Sequence, residues 1–506
     1  KAAELLGAAA VDLEPILDAS VAKGRYIREA GVPDAGLGYF LASLLRAESH
    51  VAARILALQK SARPLLRDPV ARRIDDFEAR HSFELAPQQR DAIHSVAEGG
   101  VSIVTGGPGT GKTTLVRALL HVLRHADLEI ALCSPTGRAA QRLNEATHHP
   151  AMTIHRLLKF NPQGGGFHHG KDDPLPADLV LVDEASMLDI PLAYYLLDAL
   201  KPGAAIVFVG DVDQLPSVGP GALLKDCIAS GRVRVTRLEV VFRQARESAI
   251  VRNAHRINLG ELPHAPTPAK DGPPPDYFSV ARDEPEELRQ AVVELVTNRI
   301  PRRFKLDPVE DVQVLSPMRR GALGTEELNR LLQSVLNPSG VAITRDLGAR
   351  AGFRVGDKVI QTRNNYDLDV YNGDVGRIVE FGAESRVTRV RFGKRTVEYL
   401  LEDVIEQLDL AYAVTIHKSQ GSEYPAVVVV LHSQHFVMLR RNLLYTAITR
   451  GKRLVVVAGQ QRAVAMAVRN STENERRTAL AAWLRSGPPK VGEADIDIGP
   501  DPWLED

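Results

Sequence analysis

The stretch VTGGPGTGKTT, residues 104–114, decides the fold of the region around it. It matches the pattern G-x-x-x-x-G-K-[ST], in which glycines let backbone N–H groups point at phosphate oxygens. A buried-strand pattern, VSIVT (101–105), precedes it, and a helical pattern, TTLVRALLHVLRHA (113–126), follows it. This order places a phosphate at a helix N-terminus and argues against a chance glycine-rich turn. We therefore predict a nucleotide site on an α/β domain with a parallel sheet.

The polar side chains of this loop have separate predicted roles. Lys112 is expected to reach the β- and γ-phosphates, and the Thr113 hydroxyl is expected to bind Mg²⁺. ATP and Mg²⁺ are therefore the predicted cofactors. The residues of this loop that are predicted to bind the nucleotide are Gly107, Pro108, Gly109, Thr110, Gly111, Lys112, Thr113 and Thr114.

The composition limits the classes of protein to consider. The chain has 506 residues, 44% of them apolar, which allows roughly three or four domains. No apolar run is long enough to cross a membrane, and two cysteines imply no disulfide framework, which suits a cytoplasmic protein. Lys+Arg and Asp+Glu number 63 each, so nucleic-acid binding would need local basic patches. The chain begins at Lys1 without a signal peptide, and we expect it to be a fragment of a longer protein.

Hydrophobic patterning divides the chain into predicted domains. Strand and helix patterns alternate in two regions, which indicates two parallel-sheet α/β domains. Short strand patterns between turn residues indicate a small β-barrel inserted in the second. The predicted parts are an N-terminal helical domain at 1–75, the first α/β domain at 80–262, a proline-rich linker at 264–278, the second α/β domain at 279–344 and 409–470, the barrel at 345–408, and an acidic, disordered tail at 487–506.

Two further strand patterns end in polar residues that suit phosphate chemistry. DLVLVDEASML (178–188) ends a buried run on Asp183, which we predict to bind the metal, and Glu184, which we predict to orient and deprotonate water. AIVFVGDVDQLPSVGPG (205–221) places Gln214 where it could contact the γ-phosphate and report its loss. Each could be only a strand that ends in polar residues, but three such strands favour a nucleotide site.

Two arginines are candidates for stabilising charge during phosphoryl transfer. LLYTAITRGKRLVVVAG (443–459), in the second α/β region, ends a helix pattern on Arg450, although that region has no P-loop. VFRQ (241–244), in the first region, contains Arg243. An arginine that points across a cleft can stabilise a departing phosphoryl group. For each arginine, a surface salt bridge is the alternative.

As an ordered set, the segments resemble the motif series of superfamily 1 helicases, in detail the RecD-like branch in its longer stand-alone form. The segments are GGPGTGKTT, SPTGRAAQRL, TIHRLL, LVDEASMLD, GDVDQLPSVGPG, VFRQA, VLSPMRRGALGTEELN, GDKVIQTRNNYDLDVYNGDVGRI, TIHKSQGSEYPAVVV and LYTAITRGK. The resemblance covers about residues 80–470. It implies two RecA-like motor domains with ATP between them and an SH3-like barrel. It further implies 5′-to-3′ translocation on single-stranded DNA and duplex unwinding, in repair or recombination at the nucleoid.

The resemblance also assigns roles to individual residues. Gln89 matches the glutamine that reads adenine, and Glu423 lies in the motif near the ribose. The set that matches the hydrolysis residues is Lys112, Thr113, Asp183, Glu184, Gln214, Arg243 and Arg450. The predicted DNA contacts are Pro135, Thr136, His155, Thr415, His417 and Ser419. Contacts of these residue types to phosphate and sugar carry no sequence information, as a motor requires.

The segment KFNPQGGGFHHGKDDPLPA, residues 159–177, is either a surface loop or, by resemblance, a small β-hairpin that meets the duplex junction. We call this segment the pin and expect junctions of single- and double-stranded DNA to be bound there. Its pair His168-His169 has no cysteine nearby, and adjacent histidines alone do not supply a zinc ligand set.

Two other functions compete with the helicase interpretation. A P-loop kinase or metabolic ATPase would have no use for the motifs at 415–450. A DNA-binding adaptor with an inactive site would not need intact Lys112, Asp183, Glu184 and Arg450. From the residues alone, RNA stays an alternative substrate to DNA.

Overall fold

The computed structural model describes residues 10–24, 26–32, 36–124, 126–161, 166–267, 274–345, 351–365, 367–471 and 476–489. Two parallel sheets dominate this part of the chain, and a smaller antiparallel sheet accompanies the second. The predicted α/β fold with two parallel sheets is therefore confirmed. The predicted disordered tail lies outside the described residues apart from 487–489, as does the centre of the predicted linker, 268–273.

The N-terminal region differs from the predicted run of helices. It contains an antiparallel hairpin in which Tyr26 pairs with Leu41. The apolar run that forms the second strand continues into the following helix without a turn residue, which hides the boundary in the sequence. The elements are α1 Ala10–Ala22, β1 Tyr26–Val32, β2 Gly36–Leu41, α2 Ala42–Lys60 and α3 Val70–His81.

The first parallel sheet contains six strands in the order β10-β3-β9-β8-β4-β5. Its region comprises α4 Pro87–Ala97, β3 Val101–Gly106, α5 Lys112–Leu123, β4 Ile130–Ser134, α6 Gly137–Thr147, β5 Ala151–Thr153, α7 Ile154–Leu157, β6 Phe160–Asn161, β7 Gly166–Phe167, β8 Leu179–Val182, a 3₁₀ turn Ala185–Met187, α8 Ile190–Asp198, β9 Ala205–Gly210, α9 Leu223–Ser230, β10 Arg234–Leu238, α10 Arg243–Glu247 and α11 Ala249–Asn258.

Strand β8 shows why this sheet is buried on both faces. Leu179 and Leu181 pack into one core, and Val180 and Val182 pack into another, as alternation along a strand requires. The adjacent order β3-β9-β8 brings the carboxyl ends of these three strands together. The P-loop, the loop with Gln214 and the Asp183-Glu184 pair therefore meet at one edge, where parallel sheets bind ligands.

The second parallel sheet has the order β11-β20-β19-β12-β18. Before the inserted sheet its region comprises β11 Tyr277–Ala281, α12 Pro285–Glu294, a π-helical turn Leu295–Arg299, α13 Ile300–Phe304, β12 Val312–Ser316 and α14 Thr325–Leu336. The inserted region comprises β13 Lys358–Gln361, β14 Val375–Gly382, β15 Val387–Phe392, β16 Arg395–Leu400, α15 Leu401–Gln407 and β17 Leu408–Leu410. The remainder comprises β18 Ala413–Thr415, a 3₁₀ turn His417–Ser419, β19 Tyr424–Leu431, a 3₁₀ turn Ser433–His435, α16 Arg441–Ile448, β20 Gly451–Gly459, α17 Gln461–Arg469 and α18 Leu480–Ser486.

The small sheet is antiparallel, with the order β16-β15-β14-β13-β17. It shares a hydrophobic core with the second parallel sheet, because Val359 and Tyr399 belong to the same cluster as Val314 and Val428. Its last strand, β17, is followed almost at once by β18 of the parallel sheet. This short connection and the common core fix the small sheet against the second α/β region.

Two other contacts bear on the site. Strands β6 and β7 form an antiparallel pair within the pin. Helix α18 returns to the first region, where Trp483 and Leu484 pack in the same core as Val51 of α2. Among the described residues, no helix combines the length and the apolar character that crossing a bilayer requires.

Candidate functional site

The P-loop connects β3 to α5 and has the backbone that its glycines allow. Gly109 and Gly111 have φ angles of +75° and +77°, a region that side chains rarely adopt. A Cβ on Gly111 would lie 2.6 Å from Gln89 Nε2. The Lys112 ammonium donates to the carbonyl oxygens of Gly106 and Gly107, at 2.6 and 3.1 Å. The Lys112 ammonium is thus held against the backbone of the loop.

Gln89 lies directly against this loop. Its side chain is 1% exposed, and its amide donates to the Gly111 carbonyl at 3.2 Å while its oxygen accepts from the Ala86 N–H at 3.0 Å. Both ends of the side chain are therefore oriented by backbone groups. Gln89 therefore lies directly against the P-loop.

Asp183 and Glu184 follow β8 and face the P-loop lysine. Burial and the neighbouring Glu184 carboxylate raise the pKa of Asp183, and Arg142 and Lys112 only partly offset this effect. Glu184 has a φ of +52°, an unusual conformation for a residue with a side chain. Two adjacent carboxylates near one ammonium form a site that a divalent cation would stabilise, because it would relieve their mutual repulsion.

Thr113 is the second residue that the sequence predicts to bind the metal. It lies in the first turn of α5, and its side chain is exposed. A hydroxyl and a carboxylate are oxygen ligands of the kind that Mg²⁺ prefers. The residues present therefore fit Mg²⁺.

Gln214 belongs to a network that joins the two parallel-sheet regions. Its amide donates to Asp211 at 3.2 Å, and Asp211 also accepts from the Tyr445 hydroxyl of α16 at 2.8 Å. The Leu215 N–H donates to the Thr446 hydroxyl at 2.9 Å. The loop after β9 is thus held by a helix of the other region.

Arg450 crosses the same boundary. Its side chain is 3% exposed and donates to Gln214 Oε1 at 3.0 Å. It also donates to the carbonyl oxygens of Thr446 and Ser422, each at 3.2 Å. A surface salt bridge is therefore the wrong interpretation for Arg450, because its guanidinium is buried and its hydrogen-bond acceptors are uncharged.

Glu423 faces the first region from the start of β19. Arg142 of α6 donates to it at 2.6 Å, and Lys452 contacts its second oxygen at 3.2 Å. Burial raises the pKa of Glu423, but Arg142, Lys452 and Arg450 outweigh burial and leave the pKa lowered. Arg142 also lies 3.9 Å from Glu184, so one side chain links the two carboxylates across the boundary.

Arg243 begins helix α10 next to the P-loop, and its side chain lies outside the described part of the structure. The preceding Phe242 N–H donates to the Gly109 carbonyl at 3.2 Å. The VFRQ segment therefore packs on the nucleotide loop.

Three family models match the chain. An AAA domain matches residues 89–220, the SH3 domain of ATP-dependent RecD-like DNA helicases matches 328–392, and a UvrD-like helicase C-terminal domain matches 410–458. The RecD subunit of the RecBCD enzyme from Mycolicibacterium smegmatis is 34% identical over 79% of this chain and 74% of its own length. The chain belongs to the RecD family of helicases. The predicted resemblance is confirmed.

Other relatives of this RecD-family chain include the ATP-dependent RecD2 DNA helicase of Deinococcus radiodurans, which is 37% identical over 88% of this chain. The matched part is 58% of the Deinococcus protein, so the chain spans little more than half of that relative's length. The solved structure of a Pif1 helicase from Bacteroides with ADP-AlF3 and single-stranded DNA has a TM-score of 0.47 and 19% identity. It covers 80% of this chain and 98% of the Pif1 chain.

The residues predicted to bind DNA fall into two groups. Pro135, Thr136, Thr415 and His417 are partly exposed. Thr136 caps helix α6 by accepting from the Ala139 N–H at 3.4 Å.

Thr136 also marks a boundary between the regions. Its hydroxyl lies 2.6 Å from the position that a Cβ on Gly421 would occupy, so Thr136 meets the loop that follows Thr415. This partly exposed group therefore spans both parallel-sheet regions.

His155 and Ser419 form the second group, and the structure places both away from the surface. Ser419 is fully buried and donates to the Ile416 carbonyl at 2.7 Å. Burial lowers the pKa of His155 to about 4, and its ring packs on Phe160 and Phe167 at the base of the pin. The expectation of direct DNA contact by these two side chains does not fit this conformation.

The residues that connect the two regions were not among the predicted site residues. Arg142, Tyr445, Thr446 and Asp211 all lie within quoted motifs but received no role. Arg142 had a detectable signal, since it follows Arg138 by one helical turn and shares its face. The partners of Tyr445 and Thr446 had no such signal, because they lie more than 200 residues away.

Proposed function

We propose that this chain is an ATP-driven DNA helicase that moves 5′ to 3′ on single-stranded DNA and separates duplex strands. The observation that carries the proposal is the hydrogen bond from Arg450 to Gln214. It joins a helix end in one parallel-sheet region to a loop beside the P-loop of the other. Closing and opening of such a joint during hydrolysis would move the two regions relative to each other.

The proposed hydrolysis site uses residues from both regions. Lys112 binds the β- and γ-phosphates, Gln89 contacts the adenine, and Glu423 lies on the ribose side. Thr113 and Asp183 hold Mg²⁺, which when bound neutralises charge on the phosphates. Glu184 orients the attacking water and accepts its proton. Gln214 contacts the γ-phosphate, and Arg450, with Arg243, stabilises the charge that develops as the phosphoryl group departs.

The raised pKa of Asp183 supports this assignment. A pair of adjacent, largely buried carboxylates destabilises a folded protein unless a cation compensates for it; Asp183 and Glu184 are such a pair, each partly exposed. Lys112 and Arg142 compensate only in part. A bound Mg²⁺ would supply the remaining charge, so the pair is better explained as a metal and water site than as a structural feature.

The proposed strand-binding surface includes Pro135, Thr136, Thr415 and His417. Thr136 and Thr415 belong to different parallel-sheet regions, so a strand that contacts both would respond to their relative movement. Backbone and hydroxyl contacts of this kind bind phosphate and sugar without reading bases. His155 and Ser419 would act by supporting the pin and the turn after β18.

We further propose that the pin separates the strands at the junction. Phe160 and Phe167 pack together at a ring distance of 5.1 Å, and Phe167 packs on Tyr195 of α8 at 4.7 Å. An aromatic base of this kind would hold the hairpin rigid against a duplex end. We also propose that the chain acts in the cytoplasm at the nucleoid, in DNA repair or recombination.

The test is ATP hydrolysis with and without oligo(dT). Strong stimulation by the oligonucleotide is expected, and Glu184→Gln should abolish the stimulated rate while keeping nucleotide binding. Glu145→Gln, an exposed residue of α6, is the matched control. A wild-type rate that ignores DNA would refute the motor and favour a metabolic ATPase.

A further inference from the structure

A cavity of about 320 Å³ lies where the small sheet meets both parallel-sheet regions. Its walls come from α6, the loop before β12, the start of β19 and three strands of the small sheet. This volume lies at the lower end of the range for small-molecule sites. The charged and aromatic side chains that line the cavity are Arg138, Glu310, Lys358, Arg377, Arg391 and Tyr424.

Lys358 is the most unusual of these side chains. It is 5% exposed, and its ammonium donates to the Val312 carbonyl at 3.0 Å. Burial and, to a smaller extent, the nearby Arg138 lower the pKa of Lys358 to about 7, although carboxylates of the loop before β12 oppose the shift. Buried lysines are rarely retained without a charged partner, because removing an ammonium from water is strongly unfavourable.

Tyr424 supplies a second, independent observation. Its side chain is 4% exposed, and its buried hydroxyl has no hydrogen-bond partner among the described residues. The Arg138 guanidinium lies 5.6 Å from the centre of its ring. An unpaired buried hydroxyl is unfavourable, so a ligand atom that accepts a hydrogen bond from it would be stabilised.

The remaining charges of the cavity are also mainly positive. Arg377 and Arg391 share Glu310 as a partner, at 3.5 and 3.6 Å, which leaves these contacts longer than strong charge-assisted bonds. Four cationic side chains and one carboxylate line the walls, so the net charge is +3 when Lys358 is protonated. The cavity therefore offers several donors to an anion.

We propose that this cavity binds a phosphate group, with Lys358, Arg138 and the Tyr424 hydroxyl as donors. Arginine forks and a buried ammonium suit the several oxygens of a phosphate. The phosphate belongs either to the backbone of the bound strand or to a free polyphosphate such as a nucleotide. Arg138 lies two residues after Thr136 on α6, which favours the strand.

The binding does not depend on ATP hydrolysis, so it can be measured without turnover. The first measurement is the affinity of labelled oligo(dT) over a series of salt concentrations, without nucleotide. The second is a calorimetric titration with sodium tripolyphosphate, made in a Lys112→Ala background so that the P-loop does not compete. Each is repeated with Lys358→Met, which removes the charge but fills a similar volume.

If the strand supplies the phosphate, Lys358→Met lowers oligo(dT) affinity about tenfold. It also reduces the magnitude of the salt slope by about 0.7, as expected for one lost contact to single-stranded DNA. If a free polyphosphate is the ligand, tripolyphosphate binds in the Lys112→Ala background, Lys358→Met abolishes that binding, and oligo(dT) affinity is unchanged. Arg391→Gln, an exposed change on β15, gives a smaller loss in the same assay and guards against misfolding of the buried variant.

Arg389→Gln is the matched control, because Arg389 lies on the same strand but pairs with Glu380 and Glu398 outside the cavity. The proposal would be overturned if Lys358→Met changed neither the oligo(dT) affinity nor its salt slope and tripolyphosphate gave no heat of binding. The cavity would then hold only water. Wild-type protein that fails to bind oligo(dT) at all would contradict the helicase function, and the tripolyphosphate titration would still decide the cavity.

Discussion

The nucleotide cleft and the strand-binding surface differ in how far a motif determines the position of a side chain. At the cleft, Gln89, Asp183, Gln214 and Arg450 each interact with other groups of the cleft. At the strand surface, a predicted contact such as Ser419 is buried. A sequence motif therefore indicates which segment lies at a site. It does not by itself show which side chains of that segment are accessible.

Loss of the Arg450 guanidinium should have the strongest effect on the nucleotide cleft. An arginine finger is worth roughly 10³ to 10⁵ in rate, so Arg450→Ala should lower DNA-stimulated ATP hydrolysis at least about a hundredfold with nucleotide binding retained. Arg450→Lys should rescue little, because one ammonium cannot replace the bonds to Gln214, Thr446 and Ser422. Steady-state hydrolysis beside a nucleotide titration measures this.

The control for Arg450 is Arg453→Ala, an exposed arginine on β20. A loss of less than about fivefold in Arg450→Ala, with an unchanged melting temperature, would transfer the role to Arg243.

The second prediction concerns the effect of the Asp183 carboxylate on the stability of the chain without a bound cation. Because the pKa of Asp183 is raised in the folded state, its ionised form opposes folding, and stability is lost as pH rises above the ordinary aspartate value of about 4. Asp183→Asn should raise the free energy of unfolding by about 1 to 3 kcal/mol at neutral pH without nucleotide or Mg²⁺. The gain should vanish near pH 4.

Urea denaturation at the two pH values measures the Asp183 effect. Asp91→Asn, an exposed carboxylate of α4, should show no such dependence. Equal stabilisation at both pH values would indicate that charge is not the cause. Whatever the stability measurements show, ATP hydrolysis should be lost in Asp183→Asn.

The sequence predicted the two parallel sheets because their strands are long apolar runs, such as the buried Leu179–Val182 and Tyr424–Leu431. It missed the hairpin at Tyr26–Leu41, because its second strand runs directly into a helix. It also could not predict that Tyr445 would bond Asp211, since hydrogen-bond partners far apart in the chain leave no local pattern. Local chemistry was predictable, and the contacts between regions were not.

The third prediction concerns the pin, which lies at the strand surface. Replacing residues 161–166 by Asn-Gly keeps Phe160 and Phe167 and their packing on Tyr195. Strand separation should fall at least about tenfold, while DNA-stimulated hydrolysis stays within about twofold of wild type. Unwinding of a tailed duplex and hydrolysis are measured on one sample. Normal unwinding would mean that the segment is only a surface loop.

The weakest effect should come from two hydroxyl groups near the strand-binding surface, those of Thr415 and Ser419. Thr415 is partly exposed and Ser419 is buried, so the two hydroxyls should differ in DNA affinity although both lie in one motif. Thr415→Ala should weaken oligo(dT) binding about two- to tenfold, whereas Ser419→Ala should change it less than about twofold. Fluorescence anisotropy measures both. The reverse order would show that the turn after β18 opens when DNA binds.

The most direct test of the helicase proposal is unwinding of two matched duplexes that differ only in carrying a 5′ or a 3′ single-stranded tail. With ATP and Mg²⁺, the wild-type chain should unwind the 5′-tailed duplex and leave the 3′-tailed duplex largely paired. Preferential unwinding of the 3′-tailed duplex would contradict the proposed direction. Separation of neither duplex, with DNA-stimulated hydrolysis intact, would contradict the proposed helicase activity.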